Sequence, residues 1–316
     1  MKRKIISLAI AALMLFPLAA CSGSEEESGS AQEEESSQED AEESEEDTAD
    51  ASADADADTE LVFESQTLID NDECSVVITD IDESDIWGYF TLTAELENKS
   101  SDVTYMFAVY SAAVNGLESD PYFAATVAPG KKSIESIEFD ADTLEEYGVD
   151  LISDIELSIH VYDEDDWSGN YVADETVHIY PYGEENAQTY ERESADSDLI
   201  LVDNDDVTAI MTGYEVDDTW GYMVNVYLIN KTDAEVMFSV DDASVNGYMC
   251  DPYWAVSLTG GLAAYSTIYW DESDLEEIGI TDMETEVENI EFTFTAYDYD
   301  TYDELCSDSV VLEPEL

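Results

Sequence analysis

Residues 86–123 read IWGYFTLTAELENKSSDVTYMFAVYSAAVNGLESDPYF, and residues 219–254 read TWGYMVNVYLINKTDAEVMFSVDDASVNGYMCDPYW. The frame WGY, N-K-S/T, MF, VNG and DPY-aromatic recurs in the same order about 132 residues on. That period is too long for a solenoid unit and suits a duplicated domain.

Around this frame the chain reads as strands. Phe90, Leu92, Ala94 and Leu96 alternate with Thr91, Thr93 and Glu95, a period of two with one buried face. Ile155, Leu157, Ile159 and Val161 repeat the pattern, and Ile290, Phe292, Phe294 and Ala296 occupy the matching stretch of the second copy. Short strands between turn signals, without long helical periodicity, predict an all-β protein of two tandem immunoglobulin-like antiparallel β-sandwich domains. Capping boxes at residues 142–145 and 273–276, followed by Gly148 and Gly279, predict one short helix in each half. The expected boundaries are 61–182 for the first domain, 183–196 for a polar linker and 197–316 for the second domain. Each half is long enough for its own core.

The first 20 residues, MKRKIISLAIAALMLFPLAA, have the form of an export signal. Lys2, Arg3 and Lys4 precede an apolar run from Ile5 to Leu18, which is shorter than the ~20 residues of a spanning helix. Leu18-Ala19-Ala20-Cys21 resembles a bacterial lipobox, which implies lipidation of Cys21 and a membrane anchor. Residues 22–60 contain 18 Asp or Glu, no Lys or Arg and no large apolar side chain. With the anchor residue, 21–60 is expected to be a disordered acidic stalk. The whole chain carries 80 acids against 8 Lys or Arg, a formal charge of −72. Such a charge repels nucleic acid and anionic headgroups, so nucleic acid is excluded as a partner.

The lipobox, the acidic linker and the duplicated D-N-D-D/E, WGY, VNG and DPY frame together resemble Gram-positive surface lipoproteins with tandem immunoglobulin-like domains. The resemblance spans the chain beyond the linker. It implies a fold and a location, and it brings no activity or cofactor with it.

Several motifs admit a functional reading beside a plain one. Asp70-Asn71-Asp72-Glu73 recurs as Asp203-Asn204-Asp205-Asp206, so Asp70, Asp72, Asp203 and Asp205 are candidate calcium ligands. No EF-hand accompanies them: counted from Asp203, the sixth position is Thr208 and the twelfth Tyr214. Asp and Asn also build turns by local hydrogen bonding, and that is the expected reading. The tripeptides Val114-Asn115-Gly116 and Val245-Asn246-Gly247 carry the Asn-Gly hairpin signal. Asn98-Lys99-Ser100 and Asn230-Lys231-Thr232 match a glycosylation pattern and are expected to be strand-ending turns. Trp87 and Trp220 are expected in the cores, while the 20 Tyr and 5 Trp leave room for an exposed aromatic patch. Cys250 and Cys306 are the candidate disulfide pair, with Cys74 in the other half. His160 is expected at a solvated strand position, and neither it nor His178 has a counterpart in the second copy. The chain has no Gly-rich phosphate loop, nucleophile elbow or His-containing zinc motif.

The expected function is therefore non-catalytic binding or adhesion by a lipoprotein anchored through Cys21 on the extracytoplasmic face. Its partner is an unnamed cell-surface protein or glycan, and no cofactor is expected. A calcium-stabilised structural module is the alternative, and a carbohydrate-active enzyme using paired carboxylates the third reading.

Overall fold

A computed structural model describes residues 60–314 apart from residues 84–87, 167, 218 and 253. The export signal, Cys21, the acidic segment through residue 59, Trp87 and Tyr253 lie outside the described residues. Among the described residues no helix is long and apolar enough to cross a membrane.

The first half contains β1 (Gln66–Asp70), β2 (Cys74–Asp82), β3 (Tyr89–Asn98), β4 (Tyr105–Val114), β5 (Leu117–Glu118), β6 (Ala124–Val127), β7 (Lys132–Asp140), α1 (Ala141–Glu146), β8 (Ile155–Asp163) and β9 (Ala173–Ile179). The second contains β10 (Leu199–Asp203), β11 (Val207–Asp217), β12 (Gly221–Asn230), β13 (Val236–Val245), β14 (Tyr248–Met249), β15 (Ala255–Leu258), β16 (Ala263–Trp270), α2 (Glu272–Glu277), α3 (Met283–Glu286), β17 (Ile290–Asp298) and β18 (Glu304–Leu312). The fold is an all-β sandwich, and its helices are confined to short connections.

Strands β1-β2-β3-β7 form one sheet, and β5-β4-β8-β9, with β6 against β4, run opposite it. The second half repeats the plan as β10-β11-β12-β16 and β14-β13-β17-β18, with β15 against β13. Pairing irregularities recur at matched sites: between Thr67 and Ile69 as between Ile200 and Val202, and between Ile78 and Asp80 as between Met211 and Gly213.

The alternating patterns bury the faces expected. Phe90, Leu92, Ala94 and Leu96 of β3 meet Ile155, Leu157, Ile159 and Val161 of β8 in one apolar cluster. A second cluster gathers Tyr222, Phe238, Trp270, Phe292 and Phe294. Each fully buried Leu, Ile or Phe is worth about 1.5–3 kcal/mol relative to exposure. One sheet runs through both halves, because Leu117 of β5 pairs in parallel with Ala263 of β16. A backbone bond from Ala263 N to Gly116 O, 3.0 Å long, reinforces that contact.

The WGY frame has a backbone reason. Gly221 sits at φ 88°, and a Cβ there would stand 2.1 Å from the Trp270 carbonyl oxygen. Only glycine allows β12 to start so close to the end of β16.

Both helices end as the glycines predict. Gly148 N bonds to Glu145 O at 2.9 Å and Val149 N to Leu144 O at 2.9 Å; Gly279 and Ile280 repeat this on Glu276 and Leu275. Their starts differ from the expected capping boxes. The caps are Asp140 and Asp271, whose carboxylates accept from Thr143 N and Ser273 N. Asp142 and Ser273 already lie inside the helices, because the preceding Asp, at the strand end, reaches the free N–H groups first. The second half also carries α3, so one helix per half is corrected to two there. Glu286 stabilises this turn by accepting from Thr281 N at 2.7 Å and Asp282 N at 3.0 Å.

Candidate binding surface

Most of the repeated motifs are consumed by folding. Lys99 Nζ bonds Asp70 Oδ1 at 2.5 Å and the Asn71 carbonyl at 2.6 Å; Lys231 does the same to Asp203 at 2.7 Å and Asn204 at 2.6 Å. The Lys231 ammonium and the Thr208 hydroxyl hold the Asp203 carboxyl below its usual range. Asn71 and Asn204 accept from the backbone N–H groups that follow, closing each turn. Thus Asp70 and Asp203, two candidate calcium ligands, each face an ammonium, while Asp72 and Asp205 are exposed turn residues. No group of three or more His, Cys, Asp or Glu among the described residues is placed to hold a metal ion.

Asn98 and Asn230 are wholly buried. Asn98 Nδ2 donates to Val103 O at 2.8 Å and Val127 O at 2.7 Å, and Asn230 Nδ2 to Ala234 O at 2.7 Å and Leu258 O at 2.9 Å. The hairpin asparagines also do more than turn. Asn115 takes φ 54° and Gly116 φ 84°, while Asn115 Oδ1 accepts from Ser153 N at 3.1 Å and Asp154 N at 3.0 Å. Asn246 binds Glu288 N and Asn289 N in the same way. Each clips its hairpin to the entrance of β8 or β17.

Cys250 and Cys306, the candidate disulfide pair, are free buried thiols, as is Cys74. Topology keeps the pair apart. Cys250 follows β14, beyond β13, and Cys306 lies on β18, so β13 and β17 run between them. Adjacent strands lie about 4.8 Å apart, and a bridge needs Cα atoms within about 7 Å. Burial pushes the Cys74 and Cys306 thiols up to about 11.

Trp220, expected in the core, is 57% exposed and meets Tyr269 edge-on at 5.9 Å. The core tryptophan is Trp270, 1% exposed, with Nε1 donating to Cys250 O at 2.9 Å. Both follow from the strand start: Gly221 begins β12, and Trp220 precedes it in the turn.

The distinctive surface lies on the outer side of β4 and β8. His160, expected in solvent, is sandwiched between Tyr110 at 4.7 Å and Tyr171 at 4.3 Å, with interplanar angles of 19° and 24°. Only 14% of its side chain is exposed, and Nε2 lies 3.2 Å from Asp174 Oδ1. Tyr162 tilts against Tyr171 at 5.9 Å. Tyr110 donates to Glu235 of the second half at 3.1 Å, and burial of its hydroxyl beside that carboxylate pushes it up to about 12. Tyr110 and Tyr171 themselves remain exposed. Strand pairing on its own does not bring Tyr171 to His160; the loop before β9 does, and no sequence periodicity reported it.

The second half has different chemistry at the same sites. His160 pairs with Ala108 as Thr295 pairs with Ser239, and Tyr171 and Glu304 each stand two residues before equivalent strand positions, Ala173 and Cys306. There Thr295 Oγ1 bonds Asp241 Oδ2 at 3.2 Å and Ser239 Oγ at 2.7 Å. An open groove of about 730 Å³ is lined by Asp241, Asp242, Thr293, Thr295, Glu304 and Ser307. One copy presents stacked rings and the other hydroxyls and carboxylates.

No family model matches the chain, and no curated protein matches it. Among solved structures, red sea bream transglutaminase matches with a TM-score of 0.20 and 8% identity, over 76% of this chain and 31% of that one.

Proposed function

We propose that this chain is a bacterial extracytoplasmic lipoprotein, anchored in the cell membrane through lipidated Cys21, that binds a cell-surface protein or glycan without catalysis. In this reading the acidic segment holds two tandem immunoglobulin-like domains, 61–182 and 197–316, away from the bilayer. The observation that carries the binding role is the Tyr110–His160–Tyr171 stack. Core, turn and cap residues repeat between the halves, whereas this outward face does not. Rigid, half-exposed rings beside carboxylates supply contact area at low entropic cost.

The calcium reading loses ground where Lys99 and Lys231 occupy the Asp70 and Asp203 carboxylates. Two measurements test the proposal. Cys21→Ser releases the protein from the membrane fraction, and retention there defeats the anchor. The full chain binds isolated cell envelopes, and Tyr110→Ala with Tyr171→Ala weakens that binding; unchanged binding defeats the role of the stack.

A further inference from the structure

A second aromatic cluster occupies the crossing between the halves. Tyr147, directly after α1, stacks on Tyr265 of β16 with centroids 4.1 Å apart and planes 18° from parallel. Tyr190 donates its hydroxyl to the Tyr147 carbonyl at 2.8 Å and receives the Tyr265 hydroxyl at 2.8 Å. Tyr227 tilts against Tyr265 at 5.0 Å, and Arg192 lies 5.6 Å over Tyr227. Two 2.7 Å bonds to Asp198 hold Arg192 in place. These contacts fix the stacked pair rigidly.

The pair lines a cleft of about 370 Å³ together with Thr212, Glu215, Asn225, Ser266 and Thr267. That volume lies within the ~300–1,000 Å³ of small-molecule sites. Thr267 Oγ1 donates to Asn225 Oδ1 at 2.9 Å, which sets the amide orientation. Asn225 Nδ2 makes no hydrogen bond among the described residues and remains a donor for a ligand. Among the described residues Glu215 is the one charged side chain in the lining. In the first half, the same register places Thr93 opposite Ser136 and an exposed Ile134 where Tyr265 stands. The sheet face that forms the cleft with Tyr147 therefore has no counterpart in the first half.

We infer that this cleft binds a small neutral saccharide. A pyranose has an apolar C–H face suited to the exposed Tyr147 ring, and hydroxyls that both donate and accept. Asn225 Nδ2 donates to one hydroxyl, and Glu215 and Thr267 accept from others. An anionic ligand is opposed by Glu215 and by the chain's charge of −72. A metal ion would find a single carboxylate. The cleft shares no lining residue with the Tyr110–His160–Tyr171 face, so the inference stands apart from that face's role.

The test is calorimetric titration of the full mature chain, in detergent, with methyl glucoside, methyl galactoside, N-acetylglucosamine and their β-linked oligomers. At least one binds saturably. Asn225→Ala and Tyr147→Ala each weaken that binding by about tenfold or more, the loss expected for one ligand contact. Asn225→Ala keeps the unfolding temperature, because its side chain bonds only Thr267, and so separates loss of site from loss of fold. Binding to free pyranosides assigns a soluble sugar, and binding to the oligomers alone assigns a polymeric glycan. No saturable binding by any sugar overturns the inference, as does binding that survives Asn225→Ala. Binding lost with Tyr110→Ala but kept with Asn225→Ala places the glycan on the outer face, overturning this site while leaving the surface-binding reading intact.

Discussion

Tyr110 and Asp241 are each the sixth residue of their long strand, β4 or β13, but Tyr110 is skipped in the pairing with β8, whereas Asp241 pairs with Thr293 of β17 and the irregularity follows it. One offers an aromatic ring and the other a carboxylate. The bulge frees Tyr110 from strict alternation and re-aims its side chain, so the two strands diverge around this position without disturbing the core.

Truncating the stack therefore separates binding from stability. Tyr110→Ala with Tyr171→Ala lowers affinity for cell envelopes by about tenfold or more, since each ring contact contributes about 0.5–1.5 kcal/mol. The thermal midpoint moves by only a few degrees, because both rings are exposed. Surface plasmon resonance on immobilised envelopes, beside a thermal scan, measures both. A large fall in midpoint without loss of affinity makes the stack a structural element instead.

Asn98 and Asn230 give the opposite pattern. Replacing either by Ala removes the amide donor from the Val127 or Leu258 carbonyl, while the Val103 and Ala234 carbonyls keep the Ser100 and Thr232 hydroxyls. The expected destabilisation is about 1–3 kcal/mol for each, from the cost of one buried acceptor left without its amide donor. Urea unfolding measures it. A loss below about 1 kcal/mol shows that water replaces the amide, and the buried-clip account then fails.

Much of this was legible in the sequence. Alternation in β3, β8 and β17 and the Asn-Gly turns follow from local rules, and the all-β sandwich follows from them. What was not legible came from contacts between distant segments. Lys99 closes on Asp70 across 29 positions, so a D-N-D turn looked like a cation loop while its cation was a lysine. His160 looked solvated because its strand neighbours are polar, yet Tyr110 and Tyr171 arrive from β4 and from the loop before β9. Trp220 lost its expected core place to Trp270, since one step before a strand start decides which side a ring takes.

The three buried thiols predict chemical silence. Burial pushes Cys74 and Cys306 up to about 11 and raises Cys250 as well, so few thiolates exist at neutral pH. In native protein Cys74, Cys250 and Cys306 resist a thiol-specific reagent for hours, and all three react at once in denaturant. Reducing agent leaves the unfolding midpoint unchanged. A reductant-sensitive midpoint instead means that Cys250 and Cys306 are bridged.

Glu118 supplies the pH dependence. It sits on β5 next to Leu117, the residue that pairs with Ala263 to join the halves. Burial, then the charges of Asp120 and Glu235, push its carboxyl from 4.5 up to about 7. The folded state thus holds a proton that the unfolded chain releases earlier. That stabilisation is fully present below pH 4.5, declines as pH rises, and is gone above about pH 7. Glu118→Gln fixes the neutral form and stabilises the protein above pH 7 by up to roughly 3 kcal/mol, with much less effect near pH 4.5. Urea midpoints of wild type and variant across this range measure the difference. Parallel pH profiles mean that Glu118 ionises without cost, and that the junction at β5 and β16 is open to water.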